Sequence, residues 1–137
     1  MLKKGGILVY ITSNKWMRAG YGEKLREFLA AKVNTLAVLD FGMAQNFGAA
    51  TTYTCITTFS KSPSQRATRS CYASDDRAAM DDPAGYFNEN AVVLDNLGCD
   101  AWVVLSPERQ AIRTRVSDQG IPLEKWSLQI SRGVITG

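Results

Sequence analysis

The sequence contains no histidine. That removes Ser-His-Asp and Cys-His hydrolase machinery from the chain, along with every His-ligated metal site. Carboxylates, hydroxyls, amides or a bound cofactor remain for any chemistry. Cysteine is scarce: Cys55, Cys71 and Cys99 are odd in number and widely spaced. They exclude a disulfide framework and a zinc ribbon, and they suit a reducing cytoplasm. No apolar run approaches the ~18 residues of a membrane span. The opening Met1-Leu-Lys-Lys-Gly-Gly is not a signal peptide, because the apolar run behind it is short and lacks a cleavage site. The expectation is a cytoplasmic protein with no membrane partner. Prolines are few and isolated, in the contexts SPS, DPA, SPE and IPL. Strong charge is missing too. The net value is +3, with seven Lys/Arg against three acids in residues 1–60 and nine against ten in residues 61–137. The first segment could face a polyanion, but an imbalance this small is weak support.

What is present reads as globular. The 137 residues are 45% hydrophobic and 21% charged, enough for one domain or one and a half. Gly6 to Thr12 (GILVYIT) reads as a buried, parallel-type strand: short, β-branched and almost continuously apolar. A polar loop carrying Trp16 follows. Gly22 to Ala31 (GEKLREFLAA) is an amphipathic helix with Leu25, Phe28 and Leu29 on one side. Leu36 to Phe41 is a second strand, so strand, helix and strand form a βαβ unit with parallel strands. Thr52 to Phe59 is a third. Its connection is too short for a parallel crossover, so it runs antiparallel to its neighbour. Ala67 to Ala73 can form another strand, the acidic stretch around Asp75, Asp76, Asp81 and Asp82 reads as an exposed loop, and Ala101 to Leu105 is extended. A helix starts at Ser106-Pro107-Glu108 and runs to about Gln119, where Gly120 supplies a left-handed cap. Both ends look cut, which suggests a fragment.

Four places invite a site. LAVLDFGMAQNFG ends a strand on Asp40 and continues through Gly42 and Gly48. A nucleotide or S-adenosylmethionine loop looks similar, yet the tight G-x-G spacing is missing, and the alternative is a strand-to-loop transition with Asp40 at the sheet's edge. Trp16 is a ligand platform or a lid on the following helix. The acidic cluster is a cation loop or, with spacing too loose for one, a solvated loop. Phe47 sits between Gln45-Asn46 and Gly48-Ala49-Ala50, small neighbours that leave one ring face open to a planar ligand. The alternative is a buried loop anchor.

Four runs together are similar to TaqI-like adenine-specific DNA methyltransferases, a group that includes fused restriction-modification enzymes. They are LKKGGILVYITSNKWMRAGYGEKLREFL, LAVLDFG, NFGAATTYTCI and GIPLEKWSLQISRGVITG. The first three resemble late strands of the catalytic domain, and the last resembles the entry to the DNA-recognition domain. The resemblance implies a partial Rossmann-like α/β sheet: a βαβ unit followed by an antiparallel strand, then helix and strand leading into recognition. It divides the chain into 1–60 (end of the catalytic domain), 61–120 (connecting strands and helix) and 121–137 (start of the recognition domain). It implies double-stranded DNA as partner and S-adenosylmethionine as methyl donor, with no metal. In this family an aromatic before the late antiparallel strand stacks on the extruded adenine, and Phe47 holds that place. Asn46 adjoins it, and Thr51 or Thr52 would meet the sugar-phosphate. Lys15 and Arg18 would touch phosphate, with solvated surface charge as the alternative for both.

The family's Gly-rich cofactor loop and its Asn/Asp-Pro-Pro-Tyr/Phe tetrapeptide are not in these residues. The resemblance therefore places no catalytic residue here, and the chain alone is expected to be inactive. Open sheet edges and uncovered apolar surface are expected to drive self-association. Two other functions fit the residues: a non-catalytic α/β binding or assembly module of methyltransferase ancestry, and a small nucleotide-binding protein that uses Asp40 and Gly42.

Overall fold

A computed structural model describes residues 2–44, 52–63, 65, 67–73, 77–95 and 97–127. The chain divides into two compact units, Met1–Pro107 and Glu108–Gly137. In the first, one mixed sheet collects β1 (Ile7–Ser13), β2 (Asn34–Asp40), β3 (Thr54–Ser60), β4 (Ala67–Tyr72) and β5 (Val92–Asp95), in the order β1-β3-β2-β4-β5. β3 lies antiparallel between β1 and β2, from Ile7 opposite Ser60 to Ser13 opposite Thr54 on one side and Asp40 opposite Cys55 on the other. β1 and β2 thus run in the same direction, as the βαβ pattern requires, but they are not neighbours. β4 pairs parallel with β2, and β5 closes the described sheet antiparallel to β4.

Side-chain alternation along β2 sorts the interior into two layers. Val38 faces one way, into a cluster with Trp16, Met17, Leu29, Cys55, Trp102 and Val104. Leu39 faces the other, with Phe41, Ala44, Cys71, Ala73 and Ala79. The helix α1 (Glu23–Lys32) covers the first layer. Glu23 in its first turn and Lys32 in its last both complement the helix dipole. The short helices α2 (Arg77–Asp81) and α3 (Pro83–Asn90) reach the second layer through Ala79, Tyr86 and Phe87. Asp82 caps α3, its carboxylate accepting from Gly85 N at 3.0 Å.

Several expectations need correction. β1 is not a buried strand: among the described residues it pairs with β3 alone, and Ile7 and Val9 are 60% and 62% exposed. A continuous apolar run signals low polarity, and cover on both faces is a separate matter that the run does not record. Leu25 and Phe28 stay exposed on α1, whose buried positions are Leu29 and Arg26. The acidic stretch is partly helical, since Asp81 ends α2 and Asp82 caps α3. Residues 101–105, expected to be extended, belong to no assigned strand, yet Trp102 and Val104 are buried and Trp102 N donates to Met17 O at 2.8 Å.

The second unit carries most of α4 (Pro107–Gln119), which has no buried residue, and a 3-10 turn at Leu123–Lys125. Gly120 N closes the helix end on Val116 O at 2.7 Å, without the left-handed backbone that the sequence suggested.

Candidate functional site

The carboxyl-terminal ends of β1 and β2 meet in a buried polar knot. Asp40 is the last residue of β2 and is fully buried. It is not at the sheet's edge, because β3 and β4 flank it. Burial of a carboxylate is costly unless every oxygen finds donors. Here Oδ1 accepts from Asn14 Nδ2 at 2.7 Å and from Gly42 N at 2.9 Å. Oδ2 accepts from Arg18 Nη2 at 2.6 Å, an ion pair whose arginine side chain is 45% exposed. The second N–H of the Asn14 amide donates to Gly42 O at 2.8 Å.

Local backbone puts these groups in place. Asn14 opens the 3-10 turn Asn14–Met17 and Arg18 follows its end, while the capping hydroxyl on Ser13 accepts from Lys15 N. Gly42 adopts a left-handed φ of 59°, which costs glycine little and other residues ~1–2 kcal/mol. Ala44 N returns to Phe41 O at 3.0 Å and completes the turn after β2. Across the sheet, Phe41 N donates to Thr54 O at 3.1 Å and Asn14 N donates to Tyr53 O at 2.9 Å. Both ends of the connection between β2 and β3 are therefore tied at the knot.

Behind it lies a packed, hydrogen-bonded frame. Trp16 and Trp102 meet edge to face with centroids 5.3 Å apart, so Trp16 serves packing as a lid does. Arg26 is buried and donates to three backbone carbonyls: Trp16 O at 2.6 Å, Ala19 O at 2.9 Å and Cys99 O at 2.8 Å. Gly22 belongs to the same frame, because a Cβ there would collide with the Trp16 carbonyl oxygen. Cys55 lies opposite Asp40 on β3, and its thiol is pushed up from 9.0 to about 12, first by burial and then by the Asp40 charge.

The predicted site residues fall as follows. Asn46, Phe47 and Thr51 lie outside the described residues. Thr52 is exposed just before Tyr53, and Lys15 is exposed just after Asn14. The Asn14–Tyr53 bond therefore brings Thr52 and Lys15 to the same end of the sheet. Arg18 joins them there but is committed through one nitrogen to Asp40. Neither Asn14 nor Arg26 stood out in the sequence. A polar residue one step past an apolar strand was the only signal for Asn14, and an arginine on a helix carries none for burial. Asp40 and Gly42 are engaged within the protein: both carboxylate oxygens accept from protein donors, and Gly42 N is spent on one of them. Among the described residues no group of three His, Cys, Asp or Glu could hold a metal, and no helix is long and apolar enough to cross a membrane.

Residues 1–47 match the sequence profile of the Eco57I restriction-modification methylase family. The fold is similar to that of restriction-modification modification subunits. One such structure is a modification subunit assigned to a type I restriction enzyme of Vibrio vulnificus YJ016, with TM-score 0.53 and 11% identity over 68% of this chain and 23% of that one. Another is a chain from a type I restriction-modification system studied for complex assembly and conformational transition, with TM-score 0.57 and 7% identity over 85% of this chain and 33% of that one. This chain thus spans 23% and 33% of the length of these two chains. No curated protein matches it.

Proposed function

We propose that this chain is the late part of the catalytic domain of a site-specific DNA adenine N6-methyltransferase, of the TaqI-like restriction-modification type and of cytoplasmic location. The observation that carries the reading is the Eco57I methylase match over residues 1–47, which contains β1, β2 and the whole Asn14–Arg18–Asp40–Gly42 knot. On this reading residues 1–60 complete the catalytic domain, 61–120 connect, and 121–137 begin DNA recognition. The methyl donor would be S-adenosylmethionine. Asp40 and Gly42 are engaged with each other and with Asn14. The work proposed for this chain is on the DNA side.

That work is to hold an extruded adenine. Turning a base out of the duplex costs a few kcal/mol in stacking and pairing. Phe47 returns ~1–3 kcal/mol by stacking on the base, with Asn46 beside it. Thr51 or Thr52 meets the sugar-phosphate, and Lys15 a phosphate. Arg18 serves phosphate only through the nitrogens that Asp40 leaves unused. The isolated chain does not transfer methyl groups. Replacing Phe47 with Ala in the intact enzyme is expected to lower kcat/KM by roughly 5- to 150-fold, the equivalent of the lost stacking, whereas Phe47→Trp retains most activity. Equal activity of the Ala variant contradicts the assignment, as does turnover by the chain alone in a filter assay with labelled S-adenosylmethionine.

A second reading, a non-catalytic assembly module, draws on the exposed apolar strand β1 and on the exposed Ile112 and Val116 of α4. It predicts that Phe47→Ala leaves every function of the intact protein unchanged.

A further inference from the structure

We propose that β1 is a seam: its free edge takes a strand, and each of its faces a helix, from a further α/β body of the intact methyltransferase. The identity of that body rests on the methyltransferase reading; the surface that receives it rests on the ladder. Asn14 N donates to Tyr53 O and Lys61 N to Gly6 O, both at 2.9 Å, flanking an unbroken antiparallel register. Antiparallel bonding alternates, so the even-numbered residues of β1 spend their N–H and C=O groups on β3. Ile7, Val9 and Ile11 turn theirs away from it, and among the described residues no strand meets them.

The two edges of the sheet differ. β5 has four residues and ends on Asp95. Short length and charge are the usual protections of an edge that faces water. β1 has seven residues, no bulge against β3, and no charge or proline anywhere from Gly5 to Asn14. Its faces match an interior strand. On one, Leu8 and the exposed Phe28 of α1 line an apolar groove of about 360 Å³ with Val33 and Phe59. On the other, the exposed Val9 and Ile11 lie opposite Thr58 and Ile56, which line a groove of about 320 Å³ with Pro83 and Phe87 of α3. Strands that are apolar on both faces belong to sheets with helices on both sides. A second copy of this chain fits less well. Antiparallel pairing of two β1 strands over their full length sets Lys3 and Lys4 of each copy beside Lys15 of the other, and like charges across strands repel. In the two similar modification-system structures, the matched part is 23% and 33% of a longer chain, so the similar fold there sits within a larger body. Self-association of the chain alone uses the same edge in default of that body.

The test is residue-resolved amide hydrogen exchange on the intact enzyme, kept dilute enough to be monomeric by light scattering. The amides of Ile7, Val9 and Ile11 are expected to exchange within ten-fold of those of Leu8, Tyr10 and Thr12. In the monomeric 137-residue chain the same three are expected to exchange at least 100-fold faster than their even-numbered neighbours. Should the chain alone not fold, the intact enzyme decides. There, Val9→Gln is expected to lower the thermal midpoint by about 3 °C or more, against less than about 1 °C for Val93→Gln on the β5 edge. Fast exchange at Ile7, Val9 and Ile11 in the intact monomer overturns the seam, whether or not that enzyme methylates DNA. Protection of the three in the monomeric 137-residue chain overturns it too, as does a Val9→Gln shift no larger than that of Val93→Gln. Protection that appears only on dimerisation overturns it in favour of a second copy. Protection in a monomer that never methylates DNA keeps the covered edge and overturns the methyltransferase as its source, so the two failures read differently.

Discussion

Consider first the removal of one partner from the Arg18–Asp40 pair. Asp40 is fully buried, while the Arg18 side chain is 45% exposed, so the two charges meet at a boundary between protein and water. At an effective dielectric near 20, charges about 4 Å apart attract by ~4 kcal/mol. Half-exposure and the entropy of holding an arginine reduce the net value to roughly 1–3 kcal/mol. Arg18→Gln is therefore expected to cost about 2 kcal/mol, because the carboxylate cannot move into water. Asp40→Asn is expected to cost a similar ~2 kcal/mol, through an amide nitrogen aimed at Arg18 or at Gly42 N. The double variant is expected to cost about 2 kcal/mol rather than 4, since neither charge is left alone. Urea unfolding followed by tryptophan fluorescence reads the cycle, with Trp16 and Trp102 both in the core. A coupling of ~1–2 kcal/mol that persists in high salt is the expected result. Additivity within ~0.5 kcal/mol would refute the claim that Arg18 compensates the buried charge.

Other outcomes follow from the same structure. Cys99 is exposed while Cys55 and Cys71 are buried, so one thiol per chain is expected to react with maleimide at neutral pH, and all three in denaturant. Because the Cys55 thiol is raised from 9.0 to about 12, the folded state keeps a proton that the unfolded state releases. That contribution to stability is fully present below pH 9 and is lost as the pH rises from there toward 12, by at most ~1.4 kcal/mol per pH unit. The difference between wild type and Cys55→Ala in alkaline denaturation isolates it. Gly42→Ala is expected to destabilise by ~1–2 kcal/mol through its positive φ, whereas Gly20→Ala, with open space at the Cβ position, is expected to change stability by less than ~1 kcal/mol. Light scattering after size exclusion is expected to show self-association through β1 that Val9→Lys weakens, and a clean, salt-independent wild-type monomer would contradict this.

The sheet was legible where local pattern decides the outcome. The short connection after Phe41 dictated an antiparallel β3, and the helix between two apolar runs dictated a common direction for β1 and β2. Neighbour relations were not legible, because the insertion of β3 between those strands depends on long-range pairing. Burial was misjudged for one reason in two places. Ile7 and Val9 look interior by residue type, and Phe28 looks interior by helical spacing, while the buried Arg26 drew no expectation. Each outcome depends on what lies opposite the residue, which local sequence does not encode. The knot illustrates this at the site: Arg18 and Asp40 each drew attention singly, as a phosphate contact and an edge residue. Their pairing, and the part of Asn14 in it, emerges only when the ends of β1 and β2 meet in space.

The most direct measurement is the chemistry left on DNA. DNA treated with the intact enzyme and S-adenosylmethionine would be digested to nucleosides and analysed by mass spectrometry. Methylated deoxyadenosine bearing its methyl group on N6, formed more slowly with Phe47→Ala and kept with Phe47→Trp, is the result predicted. Methylcytosine alone, or no methylated base with active cofactor turnover, would contradict the account.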